Sequence, residues 1–228
     1  MTKSKDKITA LIPHPFTEGR IDRLGDLVFA TTYRLMPGLT NAITRQIATA
    51  IIHRWQKNQT GPHTLLFICN GNICRSAYAQ WAAIKLQAEK LFPQTVASTR
   101  QSAAGDGRVQ LALYSAGLFT SDNKPANPQA ISSATKRDIN LDEHRTTRFS
   151  TMTINDSVLL LPMTLTQYLR IIFANPHRIR HTVCFGLFAL NSVKRLSIAD
   201  PYGHTDDTFQ ECFARIDEGL EALSRMLH

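Results

Sequence analysis

This chain has few cysteines and no long apolar run, and each shortage excludes a class of protein. Its 228 residues contain four cysteines, at positions 69, 74, 184 and 212, whose spacing fits no zinc-binding pattern. No stretch is long enough to span a membrane. The basic start, residues 1–7, is followed by an apolar run that is too short for a secretory signal and is interrupted by Pro13 and Pro15. We therefore expect a cytoplasmic protein.

Acidic residues are also in short supply. The chain has 26 Lys and Arg against 18 Asp and Glu, a formal net charge of +8. Residues 1–62 carry nine of these basic residues and four of the acidic ones. A basic surface suits acidic partners such as phosphoproteins, nucleic acid or anionic lipid, and the charge alone does not choose among them. The length allows one domain with a good core plus an appendage.

The most specific pattern in the chain is the octapeptide from Cys69 to Ser76, Cys-Asn-Gly-Asn-Ile-Cys-Arg-Ser. It follows the apolar run 64–68, which predicts a buried strand, and it precedes a helical stretch that begins near Arg75. Gly71 and Asn72 can take the positive φ that a tight loop requires. A strand, a loop and a helix N-terminus in this order predict an anion-binding cradle of backbone N–H groups.

Within this cradle, Cys69 and Arg75 have the chemistry of a phosphoryl-transfer site. A helix N-terminus, amide donors and a nearby arginine all lower the pKa of a thiol, so we expect Cys69 to react as a thiolate, assisted by Ser76. The planar guanidinium of Arg75 can hold two phosphate oxygens. We predict that Cys69 attacks phosphorus and forms a phosphocysteine, which water then hydrolyses. The alternative is a buried structural cysteine, because C-x5-R by itself also occurs by chance.

The leaving group needs a proton, and Asp200, in Ala-Asp-Pro-Tyr-Gly, is the candidate general acid. Pro201 disfavours helix at Asp200, so the carboxylate can project from a loop. Tyr202 is a candidate wall of a phosphoaryl pocket. An Asp-Pro turn is often purely structural, so this prediction depends on the presence of Cys69 and Arg75.

These segments, in this order, resemble the low-molecular-weight protein tyrosine phosphatase family. The resemblance covers roughly residues 63–228. Between the Cys69 loop and the Asp200 loop it includes three further segments: Tyr114-Ser115-Ala116-Gly117, residues 127–148 with His144 in an H-x-[AS]-R-type turn, and residues 156–163.

The resemblance implies roles for individual residues and implies neither a metal nor a cofactor. Cys69 is the nucleophile, Arg75 the phosphate clamp, and Asp200 the general acid and then base. Ser115 and His144 support the loop, and Tyr202 and Lys124 line the pocket. The remaining residues of the phosphate-binding loop are Asn70, Gly71, Asn72, Ile73, Cys74 and Ser76.

Some positions depart from the family's pattern or keep two interpretations. Cys74 matches a loop cysteine that can form a protective disulfide with the nucleophile, and a small buried filler is the alternative. Ala77 replaces a usual proline. Thr164 stands where an Asp that makes a supporting contact is common, and Lys124 stands where an aromatic residue is frequent.

The order of elements predicts an α/β fold: an open, twisted four-stranded parallel sheet with helices on both faces, plus an N-terminal helical extension. The active site then lies at the carboxyl end of the first strand. We expect the polar residues 93–107 to form a mobile surface loop. The predicted strands are 64–69, 110–115, 157–163 and 182–187, and the predicted helices are 75–90, 127–137, 164–174 and 206–227.

Residues 1–62 form a basic extension outside the resemblance, followed by a phosphatase domain over 63–228. We expect disorder over 1–18, two helices, and a joint at 59–62. Three interpretations of the helices stay open: a hairpin packed on the domain, a surface for a partner or for self-association, and attachment to a membrane surface. The predicted apolar stripes are Leu24, Leu27, Val28, Ala30 and Tyr33 in the first helix, and Ile43, Ile47, Ala50, Ile51 and Trp55 in the second.

The leading functional prediction is a protein-tyrosine phosphatase. Its partner would be a phosphotyrosine-bearing protein, for example a tyrosine kinase, and no specific nucleic acid is expected. Arsenate reduction on the same fold is one alternative, but it needs relay cysteines, and none lies between Gly117 and Met163. A non-catalytic phosphoprotein-binding module is the other alternative, against which the combination of Cys69, Arg75 and Asp200 argues.

Overall fold

Three parallel strands form the centre of the computed structural model, which describes residues 18–57, 62–97, 108–190 and 195–228. Strand β1 (His63–Cys69) lies between β3 (Arg108–Gly117) and β4 (Val158–Pro162), and the short β2 (Thr95–Ala97) pairs antiparallel with β3. β4 is buried along its whole length and β1 along nearly all of it. This is why both are continuously apolar in sequence rather than alternating.

Helices cover both faces of the sheet. One face, which carries Leu65 and Phe67 of β1, packs against the second, third, fourth and sixth helices, and the other, which carries Leu66 and Ile68, packs against the fifth. The α-helices are α1 (Glu18–Leu35), α2 (Pro37–Lys57), α3 (Arg75–Ala88), α4 (Pro128–Thr135), α5 (Leu165–Ala174) and α6 (Asp206–Leu227). Short 3-10 helices span Phe149–Thr151, Pro176–His181 and Phe185–Leu187.

The predicted α/β class and the parallel sheet are confirmed, but the fourth predicted strand, 182–187, is reduced to a single parallel bridge between Thr182 and Leu160. Beyond that bridge the chain turns into a 3-10 helix, which places the Phe185 ring 5.6 Å from Phe67 in the core. A short apolar run is buried in either conformation, so its pattern does not distinguish a strand from such a turn.

The predicted loop 93–107 is also different in part, because residues 95–97 form β2. The rest of that prediction, over 98–107, lies outside the described residues. So do residues 1–17 of the predicted disorder and residues 59–61 of the predicted joint. Glu18 already begins α1.

The second helix of the extension contributes to the main core. Ile52 and Trp55 are fully buried, and the Trp55 indole N–H donates to the Ser157 carbonyl at 2.6 Å. The ring of His63 packs edge-on against Trp55, and its Nε2 lies 3.0 Å from the Trp55 carbonyl oxygen. Ile43 and Ile47, which the sequence pattern placed on the same stripe, are about half exposed. The buried stripe of α2 is therefore centred on Ala48, Ile52 and Trp55.

The first helix turns its polar side toward the domain. Leu24, Leu27 and Val28, predicted as the packed stripe, are 65%, 64% and 55% exposed, whereas Asp22 and Asp26 bond to the domain. Periodicity found the helix but gave the wrong face, because the side of α1 that meets the domain carries the hydrogen-bonding carboxylates Asp22 and Asp26. Within the described ranges, no helix is both long and apolar enough to cross a membrane.

Replacing Trp55 by Phe tests the packing of α2. The change removes the bond to Ser157 and part of the ring volume, so we expect it to lower the free energy of unfolding by about 1–2 kcal/mol. Chemical denaturation measures this. Ile47→Ala on the exposed side of the same helix is the control, expected to stay within about 0.5 kcal/mol of wild type. Equal effects of the two variants would contradict the packing described here.

Candidate active site

The carboxyl end of β1 is where the octapeptide begins. Cys69 is the last residue of β1 and pairs in register with Gly117, the last residue of β3. The carbonyls of Cys69 and Asn70 accept from the amides of Leu118 and Phe119, at 3.0 and 2.9 Å. A Cβ on Gly117 would stand 2.8 Å from the Asn70 carbonyl oxygen, so only glycine allows this close approach.

Asn72 holds the loop together. It is fully buried, with φ at 55°, the left-handed conformation that asparagine tolerates better than most residues. Its side-chain amide donates to the hydroxyls of Ser76 at 2.9 Å and Ser115 at 2.8 Å, and its Oδ1 accepts from the amide of Thr147 at 2.9 Å. One side chain thus connects the loop to α3, to β3 and to the segment that follows His144.

Two donors converge on the Cys69 sulfur. The amide of Asn72 lies 3.2 Å from Sγ, and the Ser76 hydroxyl oxygen lies 3.0 Å from it. A thiolate at Cys69 can only accept, so in that form of the site the Ser76 hydroxyl is the donor of this pair. Both groups stabilise a negative charge at Cys69 more than a neutral thiol.

His144 supports the loop in a defined tautomer. The Trp81 indole only donates, so its 3.3 Å contact with Nδ1 makes that nitrogen an acceptor. Nε2 then carries the proton and donates to the Asn72 carbonyl at 2.7 Å. Burial lowers the pKa of His144, with Arg145 acting in the same direction and the bond to Asn72 opposing it. His144 is therefore a neutral structural donor.

Arg75 and Asp200 form an ion pair beside the loop. Arg75 Nη2 lies 2.5 Å from Asp200 Oδ2, and Nη1 donates to the Ile198 carbonyl at 3.1 Å. The Arg75 side chain is almost fully buried while that of Asp200 is 46% exposed. Burial opposes the charge of Arg75, but Asp200 and Cys69 outweigh it and raise the pKa of the guanidinium. Its buried Nε has no hydrogen-bond partner within the described ranges.

The segment that carries Asp200 is a tight turn. Asp200 Oδ1 accepts from the Tyr202 amide at 3.3 Å, and the His204 amide donates to the Pro201 carbonyl at 3.0 Å. Tyr202 is 60% exposed. Lys124 is exposed as well, and its described hydrogen bonds, to Thr146, are made by its backbone. The assignment of these two side chains to the pocket stays a prediction.

The other three cysteines are poor nucleophiles. All four cysteines are free thiols. Burial raises the pKa of Cys184 and of Cys212 to about 12, and it raises that of Cys74 further. These three thiols are therefore protonated near neutral pH.

Sequence reasoning missed several supporting residues. The Gln80 side chain accepts from Ser115 at 2.6 Å, and Gln167 donates to Asn70 at 3.3 Å. Thr164, where the family often has an Asp, instead forms a capping box with Gln167 at the start of α5. Gln80 lies one helical turn after Ser76 on α3, and this spacing indicated that its side chain is on the same side of the helix as Ser76. The partners of Trp81 and Thr147 depend on tertiary contacts that no local pattern reports.

A cleft of about 990 Å³ opens beside this site. Arg75 and Asp200 lie in its wall, together with Asn70. Residues of α1, the start of α5, the segment from Arg195 to Ala199, His204 and α6 also line it. The extension therefore borders the cavity that leads to the Arg75–Asp200 pair.

Comparisons with known proteins agree with this geometry. A family model described as low molecular weight phosphotyrosine protein phosphatase matches residues 64–228. The probable low molecular weight protein-tyrosine-phosphatase EpsP of Ralstonia nicotianae is 29% identical over 160 residues, 70% of this chain and 92% of that protein. The protein-arginine-phosphatase of Bacillus subtilis is 28% identical over 72% of this chain and 95% of its own length. The crystal structure of the Erwinia amylovora tyrosine phosphatase AmsI superposes with a TM-score of 0.56 at 23% identity, covering 75% of this chain and 98% of that one.

The lowered pKa of His144 predicts a pH-dependent stability. Below its unfolded pKa of about 6.5, the unfolded chain binds a proton that the folded site refuses, so the stabilisation is complete above this value and is lost as the pH falls. His144→Gln keeps a donor but does not titrate. We expect the loss of unfolding free energy between about pH 7 and about pH 5 to be smaller in this variant.

Denaturation curves at both pH values measure this difference. Some loss remains in the variant, because burial also lowers the pKa of His63 and His181. The matched control is His53→Gln, an exposed position on α2, which should leave the wild-type loss unchanged. A full wild-type loss in His144→Gln would show that His144 is not the neutral donor described above.

Proposed function

The chain belongs to the low molecular weight phosphotyrosine protein phosphatase family, and we propose that Cys69, Arg75 and Asp200 carry its protein-tyrosine phosphatase activity. The observation that carries this assignment is the pair of donors, Asn72 N and Ser76 Oγ, that converge on Cys69 Sγ beside the Arg75–Asp200 ion pair. The comparisons do not favour the alternatives, arsenate reduction or a binding-only module.

In the first step, the Cys69 thiolate attacks phosphorus, and the S–P bond forms as the bond to the phenolic oxygen breaks. The phosphoryl oxygens need donors as charge develops on them. Among the described residues, the amides of Gly71, Ile73 and Cys74 donate to no protein group, which leaves them for this role. Arg75 adds its unpartnered Nε and the charge of its guanidinium.

Phosphate binding also prepares Asp200 for its role. In the unliganded site the Asp200 carboxylate is bonded to Arg75 and does not face a leaving group. A bound phosphate dianion competes with Asp200 for the guanidinium of Arg75, which frees the carboxyl to turn toward the leaving oxygen. Asp200 then donates its proton to the leaving phenolate.

In the second step, the Asp200 carboxylate removes a proton from water, and the oxygen of this water attacks the phosphocysteine. Inorganic phosphate leaves and Cys69 returns as a thiolate, which Asn72 and Ser76 stabilise. Asn70, through Gln167, and Ser115 and His144, through Asn72, keep the loop in the conformation that both steps use.

The substrate is a phosphoprotein. That the phosphotyrosine lies on a tyrosine kinase is a further proposal, supported by family resemblance alone. We also propose a cytoplasmic location, because a thiolate nucleophile is compatible with a reducing compartment. The division into an extension over 1–62 and a catalytic domain over 63–228 is supported by the start of the family match at residue 64.

Replacing Cys69 by Ser tests the nucleophile. A serine hydroxyl is far less nucleophilic than a thiolate, so hydrolysis of a phosphotyrosine peptide should fall to the uncatalysed level while the fold is kept. Cys184→Ser is the matched control, since its hydroxyl can keep the bond that Cys184 makes to the Leu196 carbonyl. Phosphate release from purified variants decides the question, and turnover by Cys69→Ser would exclude the mechanism.

Replacing Asp200 by Asn tests the acid. The loss of proton donation should lower kcat/KM for phosphotyrosine peptides by about 10²- to 10⁴-fold. Asp207→Asn, an exposed position in the first turn of α6, should behave like wild type. A phosphoarginine peptide assayed in parallel shows whether turnover is selective for phosphotyrosine. If Asp200→Asn keeps full activity, another group must supply the proton.

A further inference from the structure

The first helix of the extension bonds to the segment that leads to Asp200. Asp26 Oδ1 accepts from the amides of Leu196 and Ser197, at 2.8 and 3.0 Å. One turn earlier, Asp22 Oδ1 accepts from the amide of Thr166 at 2.7 Å and from the Ser197 hydroxyl at 3.3 Å. Residues 22 and 26 lie on the same side of α1, so the helix presents two carboxylates to the domain.

The contact is close because of a glycine. Gly25 lies between the two carboxylates, and a Cβ at this position would stand 2.2 Å from Leu165 Cδ2, at the start of α5. A larger residue would require the Leu165 side chain to move. The helix is therefore packed closely against the start of α5.

A second helix holds the same segment from within the domain. Arg215 of α6 donates through Nη1 to the Ser197 carbonyl and through Nη2 to the Arg195 carbonyl. Residues 195–200 have no helix or strand structure of their own. Asp26 thus accepts from the amides of Leu196 and Ser197, while Arg215 donates to the carbonyls of Arg195 and Ser197.

This held segment continues directly into the catalytic pair. The amide of Ile198 donates to the Met163 carbonyl at 2.8 Å, and its carbonyl accepts from Arg75 at 3.1 Å. Asp200, two residues on, bonds to the same guanidinium. If Leu196 and Ser197 moved, Ile198 would move with them. Ile198 bonds to Arg75, and Asp200 follows two residues later, so the positions of both side chains would change.

We propose that Asp26 is a positioning residue for catalysis: through Leu196 and Ser197 it sets the place of Asp200 relative to Cys69. This inference rests on the proposed function, in which Asp200 is the general acid. Asp26 touches no reacting atom. The extension is then part of the catalytic apparatus and not only an addition to it.

The dependence of rate on the leaving group tests this proposal. Aryl phosphates with acidic phenols need little help from an acid, whereas those whose phenol resembles tyrosine, with a pKa of about 10, depend on it. Asp26→Ala should lower kcat/KM by about 10- to 100-fold for the tyrosine-like phenols and much less for the acidic ones. Asp26→Asn keeps an accepting oxygen and should show the same selective loss at a smaller size.

Three controls separate positioning from simple destabilisation. Leu27→Ala, on the exposed side of the same helix, should match wild type across the series. Asp200→Asn should show the steepest dependence on phenol pKa, and adding Asp26→Ala to it should not steepen it further, since both act through one group. Thermal unfolding of each variant shows that it is folded at the assay temperature.

The outcomes distinguish this inference from the proposed function. If kcat/KM of Asp200→Asn does not depend on the phenol pKa, Asp200 is not the general acid, and the proposed function on which this inference rests fails. If kcat/KM depends steeply on phenol pKa in Asp200→Asn but as in wild type in Asp26→Ala, the role of Asp26 is wrong while the role of Asp200 stands. An equal loss on every substrate in Asp26→Ala would also overturn the inference, because it indicates a structural role. If Asp26→Ala does not fold, Asp26→Asn decides by the same criteria.

Discussion

A loop that turns around a sulfur atom cannot satisfy its backbone with helix or sheet hydrogen bonds alone, and in this protein Asn72 makes five of the bonds that hold the loop. Its amide donates to Cys69, its carbonyl accepts from His144, and its side chain bonds to Ser76, Ser115 and Thr147. All of these groups are buried or nearly so, which makes each bond costly to lose. The position of the nucleophile therefore depends on one asparagine in a left-handed conformation.

The proton-transfer half of the site is held by a different set of contacts. Arg75 carries its charge into a buried place, where a lone cation would be strongly disfavoured, and Asp200 and the Ile198 carbonyl offset that cost. The loop around Asp200 is connected to α4 by Gln129, which donates to the His204 carbonyl at 2.8 Å. Arg215 and Asp26 hold the preceding residues. The two halves meet at Arg75, which belongs to the loop in sequence and contacts Asp200 in space.

The sequence predicted the features that depend on residues close to one another in the chain. The continuous apolar runs of β1 and β4 indicated strands buried on both faces, and the octapeptide indicated where the loop lies. The same reasoning failed for residues 182–187, where an apolar run is buried as a bridge and a 3-10 turn. It also failed for the exposed faces of α1 and α2, because a stripe of Leu and Val marks a helix without specifying which side meets the domain. Asp22 and Asp26 carried no signal as contacts, since carboxylates one turn apart usually face solvent.

The sequence by itself determined the chemistry, because Cys69, Arg75 and Ser76 are bound to one short loop by their spacing and need no distant contact to be found. It also determined the parallel α/β class, through runs of apolar residues between helical stretches. Only the tertiary structure decided which distant side chains lie next to the loop and hold its reactive groups in position. Asp200 lies 125 residues from Arg75 and Asp26 lies 170 residues from Leu196, and such pairs are made by folding, not by local pattern. The orientation of a buried hydrogen-bond network depends on every partner at once, which is why Trp81, Gln80 and the extension entered the site only when the fold brought them there.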